Sequence, residues 1–241
     1  LIKVKKKIII LGSSGLIGNT LSLELSKKYK VIGLDKIANK KTDFIVDIND
    51  YEESKKKIDL IIKKNRSIHA VIISVYPKVD IKQKKNSLTL SYEQFSKDLN
   101  NHLMAYYNIN KIFINYFKKK EGGVIVNFGS IYGSYIPRFE VYEGTKMSMP
   151  MQYAIAKNSI ITMSKFLAKE YLNKKIRINC VSPGGVFDYQ NPKFIKKYKK
   201  YTANKSMLSK NDLSGVVKFL ISDESSKITG QDIVIDDGYT L

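Results

Sequence analysis

The chain has 241 residues, 43% of them hydrophobic, one cysteine (Cys180) and a formal net charge of +20. A lone cysteine excludes an internal disulfide framework and fits a reducing compartment, and no apolar run approaches the roughly 18 residues of a membrane span. The charge tempts one toward nucleic acid, but of 42 basic residues only Arg66, Arg138 and Arg177 are arginines, and phosphate and base-edge recognition favours the planar Arg fork, so lysines spread along the whole chain read as a solvated surface.

Taken in order, the start "KVKKKIIILG" is Lys-rich, but its apolar run Ile8 to Leu11 is too short for a signal peptide and leads into a glycine motif. It reads as a first strand, Lys7 to Leu11, of a cytoplasmic protein. Leu16 to Lys28 has helical spacing (Leu16, Leu21, Leu25), and Val31 to Leu34 and Phe44 to Val46 read as strands. A helix from about Tyr51 to Lys64 precedes the apolar run Ala70 to Val75. A long helix, about Tyr92 to Phe117, is followed by the strand Val124 to Phe128, a helix from Tyr153 to about Leu172 and the strand Ile176 to Val181. A short helix near Asp212 to Ile221 and a strand, Asp232 to Ile235, close the pattern. No linker-like run divides the chain, so residues 1–241 are expected to share one core.

Strands alternating with helices imply parallel pairing, because parallel strands need crossover helices. The expected fold is a single α/β, doubly wound Rossmann-type domain, with a parallel sheet of about seven strands and helices on both faces. Two segments break the rhythm, about 134–150 and 187–210. Both follow the carboxyl ends of strands, where open α/β sheets bind ligands, and both are expected to cover a substrate.

"LGSSGLIG" places Gly12, Gly15 and Gly18 between the first strand and first helix. Missing side chains let the backbone approach a pyrophosphate, and a helix N-terminus offers free N–H groups to the anion. Such a triplet alone also serves an ordinary tight turn. Seventeen residues beyond Gly18, Asp35 ends the second strand, placed to accept hydrogen bonds from ribose hydroxyls and to repel a 2′-phosphate. That favours NAD over NADP; Lys36 softens the preference.

The spacing Tyr-x-x-x-Lys, which one helical turn can convert into a proton-transfer pair, occurs eight times: Tyr51/Lys55, Tyr107/Lys111, Tyr116/Lys120, Tyr142/Lys146, Tyr153/Lys157, Tyr171/Lys175, Tyr189/Lys193 and Tyr201/Lys205. As a pattern it therefore selects nothing. Its chemistry is nonetheless clear, because a phenol with pKa near 10 is a poor base at neutral pH unless a neighbouring cation favours the phenolate.

With "VNFGS" (Val126 to Ser130), "RINCVSPGGV" (Arg177 to Val186), "ITGQDIVIDDG" (Ile228 to Gly238) and the Tyr/Lys spacing, the chain resembles the short-chain dehydrogenase/reductases over nearly its full length. The resemblance implies Ser130 as the group holding the substrate oxygen, Tyr153 as general acid/base and Lys157 as its cation. It implies Asn101, or its neighbour Asn100, as the helix asparagine of a proton relay through water. Cofactor contacts are implied for Gly12, Ser14, Gly15, Leu16, Ile17, Gly18, Asp35, Lys36, Asp47, Ile48, Ser74, Val75, Lys157, Pro183, Gly184 and Val186. No metal is implied. Family members are dimers or tetramers built on their two long helices, so a homo-oligomer is expected.

Two Tyr/Lys pairs follow Ser130. Tyr142 lies 12 residues after it, close to the family's usual gap, and Tyr153 lies 23 after. The helix decides between them. Ala156, Ile160, Met163, Leu167 and Tyr171 form an unbroken stripe behind Tyr153, whereas a helix begun at Tyr142 meets Gly144 and Pro150. Tyr142 then belongs to an insertion over the substrate, and Tyr132, Tyr142, Asp188 and Lys193 are candidate substrate contacts.

Where the family has Asn-Asn-Ala-Gly after the fourth strand, this chain has "ISVYP", Ile73 to Pro77, a departure that bears on the local stabilisation and the adenosine-side contacts but costs no proton-transfer residue. "GGVFDYQNP", "YEGTKMSMPMQYAIAK" and "DDGYTL" are similar to the flagellin-modification oxidoreductases associated with nonulosonic sugars. The resemblance thus implies an NAD-dependent oxidoreductase acting on a secondary alcohol or ketone of a phosphorylated or nucleotide-linked sugar. A sugar-nucleotide epimerase or dehydratase that retains NAD, and a redox-silent NAD-binding regulator, remain alternatives.

Overall fold

The computed structural model describes residues 5–76, 88 and 90–241. Its seven strands are β1 (Lys7–Leu11), β2 (Lys30–Asp35), β3 (Phe44–Ile45), β4 (Ile68–Ile73), β5 (Gly123–Phe128), β6 (Ile176–Pro183) and β7 (Asp232–Ile235). They form one sheet in the order β3-β2-β1-β4-β5-β6-β7, and every pairing is parallel. The order reverses between β1 and β4, which opens a crevice above their carboxyl ends.

The alternation in β1 shows how both faces are filled. Ile8 and Ile10 join a cluster with Leu21, Leu25, Ala70, Ile72 and Val217, while Ile9 and Leu11 join another with Ile32, Ile58, Val71, Ile73 and Phe113. All four β1 side chains are fully buried, at roughly 1.5–3 kcal/mol each, so the short strand is held by its two-sided core. The helices are α1 (Leu16–Ser26), α2 (Tyr51–Asn65), α3 (Tyr92–Lys120), α4 (Met151–Glu170), α5 (Pro192–Tyr198) and α6 (Ser214–Leu220). Local chemistry starts them: the Asp50 side chain accepts from the Glu53 N–H at the head of α2, and Ser91 accepts from the Gln94 N–H at the head of α3. No helix among the described residues is long and apolar enough to cross a membrane.

Most element ends shift by one to three residues from the sequence reading, and three differences bear on the site. β4 begins at Ile68 and ends at Ile73, after which both the Ser74 N–H and the Ser74 hydroxyl donate to the Leu11 carbonyl. α3 runs on to Lys120, its last turn carrying three lysines that suit the negative end of a helix dipole. Within the connection 187–210 the structure builds α5: the Asn191 side chain accepts from the Lys193 N–H, Pro192 opens the helix, and Phe194 and Tyr198, one turn apart, are both buried.

Candidate active site

At the head of the crevice Gly12 has φ +84°, and an added Cβ would lie 2.9 Å from the Ser74 carbonyl. A side chain on Gly18 would collide with the Gly12 carbonyl oxygen. The turn is thus open to glycine alone, and α1 begins without a side-chain cap or an acidic residue in its first turn, leaving its N–H groups for an anion. Asp35 completes this end: its carboxylate accepts from the Ser14 N–H at 2.8 Å and the Ile37 N–H at 3.0 Å. The Ser14 hydroxyl donates to the Ile37 carbonyl at 2.6 Å and lies 2.7 Å from Thr42 Oγ1, so the segment after β2 is tied onto the glycine turn, with Lys36 exposed beside it. These residues fit a dinucleotide's pyrophosphate and a ribose diol. Leu16 and Ile17 open α1, and Ile17 packs on the core. Asp47 accepts from the Asn49 N–H, whereas the Ile48 side chain is buried in the core.

At the chemical end, Ser130 follows β5 and Tyr153 lies in the first turn of α4. Three buried side chains fix these elements together: Asn110 on α3 and Asn127 on β5 exchange amide hydrogen bonds at 3.1 and 3.2 Å, and the Asn127 amide donates to Ser164 on α4 at 2.9 Å. The Ser130 side chain favours the Tyr153 phenolate, but burial outweighs it and pushes that phenol up to about 12. Lys157 is only 4% exposed; burial draws it down to about 8. Its ammonium donates to the Phe128 carbonyl at 2.9 Å and sits 5.7 Å from the Tyr153 ring centre. The structure thus brings Ser130, Tyr153 and Lys157 together.

Two aromatic side chains and a histidine that the sequence reading did not weigh complete this centre. The Tyr106 hydroxyl lies 3.1 Å from the carbonyls of Ile73 and Val75 and 3.2 Å from that of Phe128, joining the ends of β4 and β5 where the family's asparagines are missing. Tyr76 and His102 stand edge-on to Tyr153, with ring centres at 5.7 and 6.1 Å, and to each other at 5.4 Å. Asn101, assigned to the relay, is half-buried one residue earlier on α3, and it is His102 whose ring meets Tyr153. A histidine one residue along a polar run "NNH" carried no signal in a reading that looked for asparagine.

The segments expected to cover a substrate are bound to each other. Tyr132 and Tyr142 are buried, their hydroxyls 3.1 Å apart; both phenols are pushed far up by burial. Tyr142 packs on Phe194 of α5, and Tyr198 stacks on Tyr239 at 4.1 Å. The Gly185 N–H donates to the Tyr198 hydroxyl at 2.6 Å, the Gly184 N–H donates to Ile235, and Val186 bridges to Leu208, so the Pro183–Gly184 turn is fixed to α5 and β7. The Arg138 guanidinium lies 4.5 Å from the Tyr201 ring and donates to the Leu241 carbonyl. Asp188 and Lys193 are exposed.

The chain is similar to known proteins. The family model described as Enoyl-(Acyl carrier protein) reductase matches residues 23–240. Post-translational flagellin modification protein A of Campylobacter coli is 38% identical over 196 residues, covering 81% of this chain and 77% of that protein. A 3-oxoacyl-(acyl-carrier-protein) reductase of Thermotoga maritima is 26% identical over 82% of this chain and 76% of its own length. Among solved structures, a short-chain dehydrogenase of Leptospira borgpetersenii with bound NAD+ is 31% identical, superimposes with a TM-score of 0.85 and covers 99% of this chain and 94% of its own. A glycine-turned β1–α1 crevice, a seven-stranded doubly wound sheet, and a serine, tyrosine and lysine gathered at its carboxyl edge agree with these matches: the chain belongs to the short-chain dehydrogenase/reductase family of oxidoreductases.

Proposed function

We propose that the protein is an NAD-dependent oxidoreductase that transfers hydride between nicotinamide and a secondary alcohol or ketone of a sugar, phosphorylated or nucleotide-linked, in bacterial surface or flagellin sugar biosynthesis. The observation that carries this reading is the buried Lys157 ammonium 5.7 Å from the Tyr153 ring centre on the same helix, with Ser130 at the end of the neighbouring strand. In the oxidation direction Tyr153 takes the hydroxyl proton of the substrate, Ser130 holds the substrate oxygen, and Lys157 stabilises the phenolate; reduction runs the proton the other way. A bound nicotinamide dinucleotide supplies the hydride acceptor. Gly12, Ser14, Gly15 and Gly18 would hold its pyrophosphate and Asp35 its ribose, with Asp47, Ile48, Ser74, Val75, Pro183, Gly184 and Val186 along its length. NAD is supported over NADP by the Asp35 carboxylate and by the NAD+ in the Leptospira relative. The flagellin-modification relative supports the sugar reading.

Tyr132, Tyr142, Asp188 and Lys193 stand in the segments 134–150 and 187–210, or beside them, and are proposed to face the substrate; Asn101 is retained as a relay candidate on α3. A homodimer or homotetramer is supported by the outer face of α3 and α4, where Met104, Tyr107 and Phe166 are exposed around an apolar groove. The single cysteine supports a cytoplasmic protein, and lysines without clustered arginines support the absence of a nucleic-acid partner. The test is NADH formation against nucleotide-linked and phosphorylated sugars: a Tyr153-dependent signal supports the reading. Turnover with NAD retained identifies the epimerase or dehydratase instead, and NADH binding without Tyr153-dependent turnover identifies the regulator.

A further inference from the structure

Among the described residues, two buried side-chain atoms beside Tyr153 have no hydrogen-bond partner: His102 Nε2 and Gln152 Oε1. Their residues are 1% and 3% exposed, and both are anchored on Asp98. Gln152 Nε2 donates to Asp98 Oδ2 at 3.0 Å, while Gln94 Nε2 donates to Oδ1 at 2.8 Å. A carboxylate only accepts, so the Gln152 amide is oriented with its oxygen turned away from Asp98. His102 Nδ1 lies 3.3 Å from the Asp98 carbonyl oxygen, which also only accepts. Nδ1 therefore carries the proton, and Nε2 presents a lone pair. Burial and the Lys157 charge draw His102 down to about 4, which keeps the ring neutral at physiological pH.

Both orphan atoms are acceptors, and a buried acceptor left without a donor destabilises the fold. Nothing apolar can relieve that cost. Tyr76 is 47% exposed and its ring lies against both His102 and Tyr153, which is itself partly exposed, so the buried pair of acceptors lies one ring away from solvent.

Resting on the reading above, we propose that His102 Nε2 and Gln152 Oε1, aligned by Asp98, form an acceptor-only subsite that takes a hydroxyl on the carbon next to the one Tyr153 serves. The substrate class is then a vicinal diol, as in a sugar ring. A monoalcohol, a steroid or an acyl thioester has no donor to offer there, and a site built around buried polar partners rejects analogues that leave them unpaired by large factors.

The chain has two histidines, His69 and His102, so nitrogen NMR of histidine-labelled protein resolves the one in question. The wild-type protein is saturated with NADH and titrated with vicinal cyclohexanediol or with cyclohexanol. The expected result is an unprotonated Nε2 in the free protein whose resonance moves with the diol and not with cyclohexanol. Gln152→Leu weakens the diol's effect at least about fivefold. In turnover, the diol is preferred to cyclohexanol by at least about tenfold in kcat/KM. A protonated Nε2, equal shifts from both ligands, or no shift from either would overturn the subsite. If Gln152→Leu does not fold, the wild-type titration still decides. Tyr153-dependent NADH formation is scored separately, so the subsite can fall while the oxidoreductase stands, and the reverse.

Discussion

Lys157 and Tyr106 share one acceptor: the Phe128 carbonyl oxygen lies 2.9 Å from the lysine ammonium and 3.2 Å from the tyrosine hydroxyl. The lysine ammonium also sits 5.4 Å from the Tyr106 ring centre. The end of β5, the end of β4 and the candidate catalytic helix therefore meet at one polar point inside the protein. Tyr106→Phe removes the hydroxyl and strips the carbonyls of Ile73 and Val75 of that partner. The expected cost is about 1–3 kcal/mol of stability, read as a lower urea midpoint at unchanged slope, with a fall in turnover as Lys157 loses its frame.

Lys157 sits uneasily in the resting fold. Its pKa falls from about 10.4 unfolded to about 8 in the native protein, so the unfolded chain binds its proton more tightly. The resulting penalty is fully present below about pH 8 and disappears as pH rises toward about 10, with an upper bound near 3 kcal/mol. Lys157→Met removes the charge at similar length but gives up the bond to Phe128. A net stabilisation of about 1–2 kcal/mol at neutral pH is expected, shrinking as pH rises, together with loss of turnover. Urea denaturation of both proteins across that range checks the sign.

Asp35 offers the clearest handle on the cofactor. Its two oxygens accept from the Ser14 and Ile37 amides, which fixes a negative charge where the proposed binding mode would put a 2′-phosphate. Asp35→Ser is expected to lower kcat/KM with NAD and raise it with NADP, moving the ratio by about 100-fold or more. An unchanged ratio would mean that Asp35 serves the turn and not the ribose.

Phe166 is 68% exposed on α4, beside Met104 and Tyr107 of α3. A charge at the centre of an apolar interface is costly to bury, so Phe166→Lys is expected to shift the protein to monomers in sedimentation or light scattering while its far-UV spectrum stays unchanged. An unaltered mass would remove this face as the contact between copies.

The sheet was legible because each strand carries its own signal: β1 is four apolar residues between lysines and a glycine, and the stripe through Ala156, Ile160 and Met163 marks α4 without reference to anything distant. The spacing of Tyr153 and Lys157 was not enough by itself, since eight pairs share it; the unbroken stripe behind Tyr153 and the family resemblance singled that pair out. What was not legible depends on packing between remote segments. Tyr106 and Tyr76 look like any other tyrosines among sixteen, and only the approach of β4 to β5 gives the first its three carbonyls. His102 became visible when α3 docked on α4 and turned that residue, with its neighbour outward, toward the phenol. α5 was hidden inside a lysine-rich stretch, because its two anchoring aromatics gain their meaning from Tyr142 and Tyr239, which lie in other parts of the chain.

The clasp made by Arg138, Tyr142, Phe194, Tyr198 and Tyr239 has a kinetic consequence. Segments separated by some fifty residues in sequence share one aromatic layer, so neither can swing aside without tearing the other's stacking. Entry and exit of a ligand past them would follow a single cooperative opening with one rate, and a change on either segment would be felt as a change in the timing of both.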